Sequence, residues 1–595
     1  MSSKPRSIIL DFLKGLAIVA VAFYHFDAWL PYGYLGVDVF FVISGFLFVK
    51  SLSKSFKENS FNYWSFLIKK IVRLWPLILI VSAVAVVYGY FLMLPDDYEN
   101  LAESAVASTL FANNILQAIT TKNYWDIVNL YKPLMHMWYV DVLMQAYVIL
   151  PLFYFIGAKL LKKSDKKELW TGLFLTVVSL VLFLLPLPQE WKFYYLPFRV
   201  FELSIGGLIA SKTIEVPGRK ALGISVVSLA VILVMLCSPV KILSPAFMLL
   251  TVVAATTALV FVGTDLRISC GICNVIARFF AALGQRSYSI YIWHQFVIAF
   301  LFYSVFPYRN LTSFLVFAAI TAVLSEISYR VIESKLGAFI KRMGGGEFRF
   351  VILNSVFATL LCGASLLIYM NAGVVRDVPE LNVSMDKVKR GMHAEYVDIP
   401  RHMKIGFEDG NKQHILIFGN SFGRDWANIL REYDKDGTLE ITYLVNSEEN
   451  VSKFAELIAK ADKVFYAEGP SYVGVPEYME VVPKEKLFVI GNKNFGESNG
   501  IIYARRSTEN YFSQRVVMPE GLKEQNIRES EKYGDHYINL MQAVTDGSGM
   551  VQVFTDDNKF ISQDCRHLTK AGAQYFSRIL DIKAILGQKY HKTTE

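Results

Sequence analysis

Eleven stretches of this 595-residue chain stay apolar for about 20 residues, the length that carries a helix across the hydrocarbon core of a bilayer. They begin near Ile8, Leu35, Ile71, Trp138, Leu169, Pro197, Leu222, Ile242, Phe279, Phe314 and Phe350. A backbone in lipid has no water to satisfy its N–H and C=O groups, and only helices or closed barrels meet that demand. The expectation is a polytopic α-helical membrane domain of eleven crossings. No small-residue cleavage site follows AVAFYHFDAWLPY, so the first stretch reads as a retained helix rather than a cleaved signal peptide.

Composition agrees: 53% of the residues are hydrophobic and 19% charged, too apolar a balance for an ordinary soluble protein. The net charge of +8 has a topological explanation, because Lys and Arg gather in cytoplasmic loops; nucleic acid is not an expected partner. Basic clusters fall at Lys50 to Lys57, in KLLKKSDKK (159–167), in SKTIEVPGRK (211–220), around Arg267 and in ESKLGAFIKRMGGGEFR (333–349). The loops between them, such as LPDDYENLAES (94–104), are acidic or nearly uncharged. This alternation predicts a cytoplasmic amino terminus and places everything after about residue 372 outside the cytoplasm. Five cysteines are too few for a disulfide framework. Cys270 and Cys273 have the spacing of half a zinc site, but no second pair or nearby histidine completes it, so reduced thiols and no metal are expected.

The texture changes at about residue 373. HILIFG, LEITYLV, DKVFYAEG and KLFVIGN read as buried strands, with helical stretches such as GRDWANILREY and SKFAELIAKA between them. Such alternation predicts a parallel sheet covered by helices. In HILIFGNSFGRDW (414–426) the strand ends in Gly-Asn-Ser, which puts the Ser421 hydroxyl at the carboxyl end of a sheet beside a helix amino terminus. A serine needs a base held by a third group. Asp564 precedes His567 by three residues in SQDCRHLTKAGAQYF, a spacing that shares a face on a helical turn. Asn494 in VIGNKNFG stands at another strand end, where its amide could donate to an oxyanion. In this order the blocks resemble the SGNH hydrolase family, with its flavodoxin-like three-layer fold. The resemblance implies Ser421 as nucleophile, His567 as base, Asp564 as orienting acid, and Asn494 and Gly469 (in AEGP) in the oxyanion hole. Asn420 stands where that family usually carries aspartate.

Ionisable residues inside membrane helices mark function by default. The first helix carries Asp11, Lys14 and His25, and Lys14 and His25 share one face about 16 Å apart. Asp38 in GVDVFFVISGF falls at the same end of the next helix as His25. LDFLKGLAIVAVAFYHF, YLGVDVFFVISGFL, FLIKKIVRLWP, HMWYVDVLMQAYVILPL, FRVFELSIGG, LGQRSYSIYIWHQF and YRVIES follow one another in order. Over about residues 6 to 340 they resemble the acyltransferase-3 family of polytopic membrane proteins. That family moves acyl groups, most often acetyl, from cytoplasmic acyl-coenzyme A to extracytoplasmic acceptors, commonly surface glycans. Its functional histidine falls on His25, its basic partner on Lys14, and its Arg-x-x-Arg pattern on Lys70 and Arg73, where the phosphates of coenzyme A are the expected ligand. The remaining blocks contribute Trp138, Asp141, Arg199, Glu202, His294 and Glu333 as further membrane-site candidates. Leu143 stands where many relatives carry glutamate, and Asp141, two residues away, is rotated about 200° from it.

The domains expected are an acyltransferase-3 unit over 1–340, a linker and last crossing over 341–372, and an extracytoplasmic SGNH domain over 373–595, in a bacterial inner membrane. The function expected is transfer of acetyl from acetyl-coenzyme A to a hydroxyl of a lipid-linked or surface glycan of the O-antigen or lipopolysaccharide type, with membrane lipid as the other partner. One rival makes the outer domain an esterase that trims acyl groups. Another makes the membrane half a transporter and the outer domain an idle binding module.

Overall fold

The computed structural model describes residues 7–27, 29–120, 131–161, 164, 166–211, 216–238, 244–263, 271–306, 309–342, 346–373, 377–382, 396–469, 475–496 and 498–587. Lys162, Lys163, Arg267 and Cys270 lie outside them. The chain divides into two compact units, Met1–Phe91 with Asn100–Leu367, and Leu92–Glu99 with Ile368–Glu595.

The first unit is helical. Among the described residues nine helices are long and apolar enough to cross a membrane, including α1 (Ile8–His25), α2 (Gly36–Lys57) and α3 (Tyr63–Leu92). Two of the eleven apolar windows fold otherwise. The one from Pro197 becomes a 3-10 turn and the nine-residue helix Val200–Leu208. The one from Phe279 breaks at Arg286 into Gly271–Gln285 and Ser287–Ser304. Mean apolarity cannot register such breaks, because it ignores where backbone hydrogen bonding is interrupted. The segment Leu311–Ile340 passes through a π-helical turn at Tyr329–Glu333, an irregularity that often accompanies a functional site.

Hydrophobic burial gives helices in lipid little reason to associate, so close backbone packing at small residues has to do more of the work. A Cβ on Gly284 would lie 1.8 Å from the Asp11 carbonyl oxygen, and one on Gly15 would lie 1.9 Å from that of Phe280. These two glycines let α1 and Gly271–Gln285 touch backbone to backbone. Gly45 and Gly206 do the same for α2 and Val200–Leu208, where an added Cβ would meet the Leu203 and Val42 carbonyls at 1.8 and 2.0 Å.

The second unit is built on a parallel sheet of β1 (Gln413–Gly419), β2 (Leu439–Val445), β3 (Lys463–Ala467), β4 (Leu487–Ile490) and the short strand Tyr537–Ile538, in the order β2, β1, β3, β4, Tyr537–Ile538. Ile415 and Ile417 of β1 enter one core with Trp426 and Phe465, while Leu416 and Phe418 enter another with Phe454 and Tyr466. Successive residues of a strand face opposite ways, so both faces of the sheet are covered and the unit has three layers. The apolar strands foreseen in the sequence form this sheet. A separate antiparallel ribbon pairs Arg515–Val517 with Met550–Gln552.

Gly284→Ala should destabilise the membrane unit by about 1–3 kcal/mol, the usual cost of overpacking. Outside its own helix backbone Gly363 has no atom within 4 Å of a built Cβ, so Gly363→Ala should leave stability unchanged or raise it by up to about 1 kcal/mol. Thermal melting of both variants of the full-length protein in detergent checks the contrast.

Candidate active site

In the α/β unit, β1 ends at Gly419, where a Cβ would lie 1.9 Å from the Ala467 carbonyl oxygen, so only glycine permits β1 and β3 to finish this close. Asn420 caps the next helix, its side-chain oxygen accepting the Phe422 N–H at 3.0 Å. Ser421 is the first residue of that helix, whose leading N–H groups have no intrahelical acceptor. Its hydroxyl lies 2.7 Å from Nε2 of His567. His567 Nδ1–H donates to Asp564 Oδ2 at 2.6 Å, which leaves Nε2 as the atom able to take the serine proton.

The Asp564–His567 spacing works differently from the helical turn foreseen. No helix is present there, since the next one begins at Lys570. Asp564 Oδ1 instead accepts the backbone N–H of His567 at 2.7 Å and of Arg566 at 3.1 Å, folding the segment into a side-chain-closed turn. Cys565 inside it has φ +69, a left-handed conformation that a non-glycine residue adopts only when its surroundings impose it. Burial pushes the Asp564 carboxyl up, but the hydrogen bonds and charge of His567 outweigh it and hold the group at about 2. It is therefore an anion at neutral pH, able to stabilise an imidazolium.

The oxyanion assignment needs one correction. Asn494 turns its side-chain oxygen onto the Gly496 N–H at 2.8 Å, closing its own loop. Asn492, buried two residues earlier, is the amide beside Gly469: a Cβ on Gly469 would lie 2.3 Å from Asn492 Oδ1 and 2.8 Å from the Phe422 ring. Gly469 also receives the Asn420 side-chain amide on its carbonyl at 2.5 Å. Gly469 is thus held between Asn420 and Asn492, next to the start of the Ser421 helix. Asn492 Oδ1 has no hydrogen-bond partner, and Nδ2 donates to Gln525 at 3.1 Å. A half-turn of this amide, with one of Gln525 so that Gln525 donates in place of accepting, aims the Asn492 donor at Gly469.

The candidates of the membrane unit separate into four groups. Lys14, Lys70, Arg73 and Glu333 line one cavity of ≈ 150 Å³ with Tyr139, Tyr147 and Leu143. Asp11 sits 3.8 Å from the Lys14 ammonium, and Lys70 lies 4.1 Å over the Tyr147 ring. Three cations around one cavity suit a polyanion. Leu143 makes part of its wall apolar.

His25 belongs to a second group. Its Nδ1 meets Gln295 Oε1 at 2.7 Å, and its ring centre lies 5.1 Å from that of His294, which lies 5.1 Å from that of His136. His294 Nδ1–H donates to the Tyr291 carbonyl at 2.6 Å and His136 Nε2–H to that of Ile292 at 3.0 Å. Each carbonyl fixes a tautomer, leaving His294 Nε2 and His136 Nδ1 buried without a hydrogen-bond partner among the described residues. Among the described residues no three His, Cys, Asp or Glu side chains are placed to hold a metal ion. His136 and Gln295 went unnoticed in the sequence, although both stand inside the motif blocks HMWYV and IWHQF.

In the third group Arg199 joins Asp38 at 2.9 Å and Glu202 at 2.8 Å, donates to the Phe193 carbonyl at 3.0 Å, and has Trp138 beside its guanidinium. Asp38 is therefore paired with Arg199, although its position in the sequence lines it up with His25. Asp141 makes the fourth group, accepting the Asn113 N–H at 2.7 Å at the start of the helix Asn113–Thr120. These last two groups satisfy buried charge and a helix end.

Full-length protein given p-nitrophenyl acetate should release p-nitrophenolate through Ser421, and Ser421→Ala should abolish the release. Asn492→Ala should slow it by roughly 10² to 10³, the usual effect of removing an oxyanion donor, and Asn494→Ala far less. Rapid-mixing absorbance measurements on the three variants check this.

A family model described as an acyltransferase domain matches residues 8–330, more than half of the chain. The peptidoglycan O-acetyltransferase OatA of Listeria monocytogenes is 27% identical over 354 residues, 55% of this chain and 55% of that protein. The O-acetyltransferase OatA of Staphylococcus aureus is 25% identical over 369 residues, 58% of each. The chain thus spans little more than half the length of these curated relatives. No solved structure matches it significantly. The family match covers α1, α2 and α3, the cation-lined cavity up to Arg330 and the three histidines, and by it this chain belongs to the acyltransferase-3 family.

Proposed function

We propose that the protein transfers an acetyl group from acetyl-coenzyme A on the cytoplasmic side to a hydroxyl of an extracytoplasmic glycan, with its membrane unit receiving the acetyl and Ser421 passing it on. The observation that carries this reading is the hydrogen-bonded chain Ser421–His567–Asp564 in the same polypeptide as an acyltransferase-family membrane unit.

Lys14, Lys70 and Arg73 would hold the donor phosphates, with His25 as base or transient acceptor. In the outer unit His567 Nε2 takes the Ser421 proton as the serine oxygen bonds to the acyl carbon, then gives it to the departing acyl carrier as the carrier's bond to that carbon breaks, while the Ser421 and Gly469 N–H groups with Asn492 carry the developing oxyanion. A sugar hydroxyl then attacks the acyl-serine and gives its proton to His567. That proton returns to the serine oxygen as the ester breaks. Dividing the reaction in this way avoids moving coenzyme A across the membrane. The Lys and Arg alternation of the loops supports a cytoplasmic amino terminus and an extracytoplasmic α/β unit. A relative named for peptidoglycan favours a cell-wall glycan over an O-antigen as acceptor.

The test is expression in a host whose own glycan O-acetylation has been deleted, with mass spectrometry of the surface glycans. Wild-type protein should add base-labile acetate. Ser421→Ala and His25→Ala should each abolish it, because general catalysis contributes about 10² to 10⁴ and triad loss more. Labelled acetyl should be found on Ser421 of the wild type and be missing from His25→Ala. Unchanged glycan acetylation in His25→Ala would remove the membrane step. Increased acetylation in Ser421→Ala would make the outer unit an esterase.

A further inference from the structure

Lys493 stands between Asn492 and Asn494 at the end of β4. Lysine is seldom taken fully out of water, yet this side chain is 1% exposed, as is that of Asp425, and the two meet at 2.9 Å. Replacing a buried ion pair with well-packed apolar residues is often neutral or stabilising, so stability alone does not account for this one. Its location supplies a reason. Asp425 is one helical turn past Ser421, and the oxygen that meets Lys493 also accepts the N–H of Leu568, the residue after His567, at 3.0 Å. The Lys493 ammonium further lies 3.7 Å from the centre of the Phe422 ring, and that ring meets the His567 imidazole edge-on, 5.8 Å between centres. Through these contacts one ammonium ties together the segments that carry Ser421, His567 and Asn492.

We propose that Lys493 and Asp425 form a positioning pair that sets the His567 imidazole against the Ser421 hydroxyl. The pair touches no reacting atom. It acts by fixing where the His567–Leu568 backbone and the Phe422 ring stand, and misplacement of a catalytic group by about 1 Å can cost roughly 10² in rate. The inference rests on the reading of Ser421 as nucleophile. Neither the SGNH resemblance nor the acyltransferase match at residues 8–330 points to either residue.

The experiment uses full-length protein in detergent with p-nitrophenyl acetate. Lys493→Met should lower kcat about 10- to 100-fold while KM stays within about twofold, since substrate contacts are untouched. Lys493→Met with Asp425→Leu, which leaves no unpaired buried charge, should keep the melting temperature within about 5 °C of wild type and remain slow. Lys493→Arg, which restores the cation, should recover most of kcat. A folded variant without the Lys493 charge that turns over at the wild-type rate, or a loss that appears in KM alone, would overturn the proposal. If the double variant fails to fold, the contrast between Lys493→Met and Lys493→Arg decides by the same criteria. Wild-type protein with no Ser421-dependent turnover would instead remove the reading of the site on which the inference stands.

Discussion

A charge or imidazole removed from water must be met by a partner, because the cost of leaving it unmatched exceeds the few kcal/mol by which a protein is stable. Both units are arranged around that requirement. In the membrane unit Arg199 gathers Asp38, Glu202 and the Phe193 carbonyl, which joins α2 to Val200–Leu208 where Gly45 and Gly206 already bring their backbones together. In the α/β unit Lys493 and Asp425 are matched, as are Asp564 and His567.

Some groups near the candidate sites go unmatched. His294 Nε2 and His136 Nδ1 are buried without a hydrogen-bond partner, in the chain of rings that ends at His25. Asn492 Oδ1 is buried and unpartnered beside Gly469. Cys565 holds a left-handed backbone between Asp564 and His567. These groups lie beside His25, Ser421 and His567, although other buried polar atoms, Glu202 Oε2 and Asp425 Oδ1 among them, also lack a hydrogen-bond partner among the described residues.

The two ends of the membrane unit's polar interior divide in the same way. Lys14, Lys70 and Arg73 supply positive charge around a cavity, where the requirement is attraction of an anion. His136 and His294 keep lone pairs whose direction is set by backbone carbonyls, an arrangement that suits a base of defined tautomer. Tyr291 belongs to both, lining the cavity and packing against His136 and His294.

Much of this was legible without coordinates. Apolar length marked the membrane helices, alternating apolar runs marked the parallel sheet, and ordered motif blocks identified the acyltransferase family. All of these are properties of neighbours within a turn or a strand. Ser421 at a strand end and the Asp564–His567 spacing were legible as local patterns, whereas the approach of Ser421 to His567 across 146 residues and the closed turn that orients His567 were not. Tertiary structure decided the rest. It closed Asn494 onto Gly496 and brought Asn492 to Gly469, matched Asp38 with Arg199 at a separation of 161 residues, placed His136 beside His294, and buried Lys493 against Asp425. Partners so far apart in sequence are chosen by which backbones can approach closely enough to exclude water, and no periodicity of the chain records that choice.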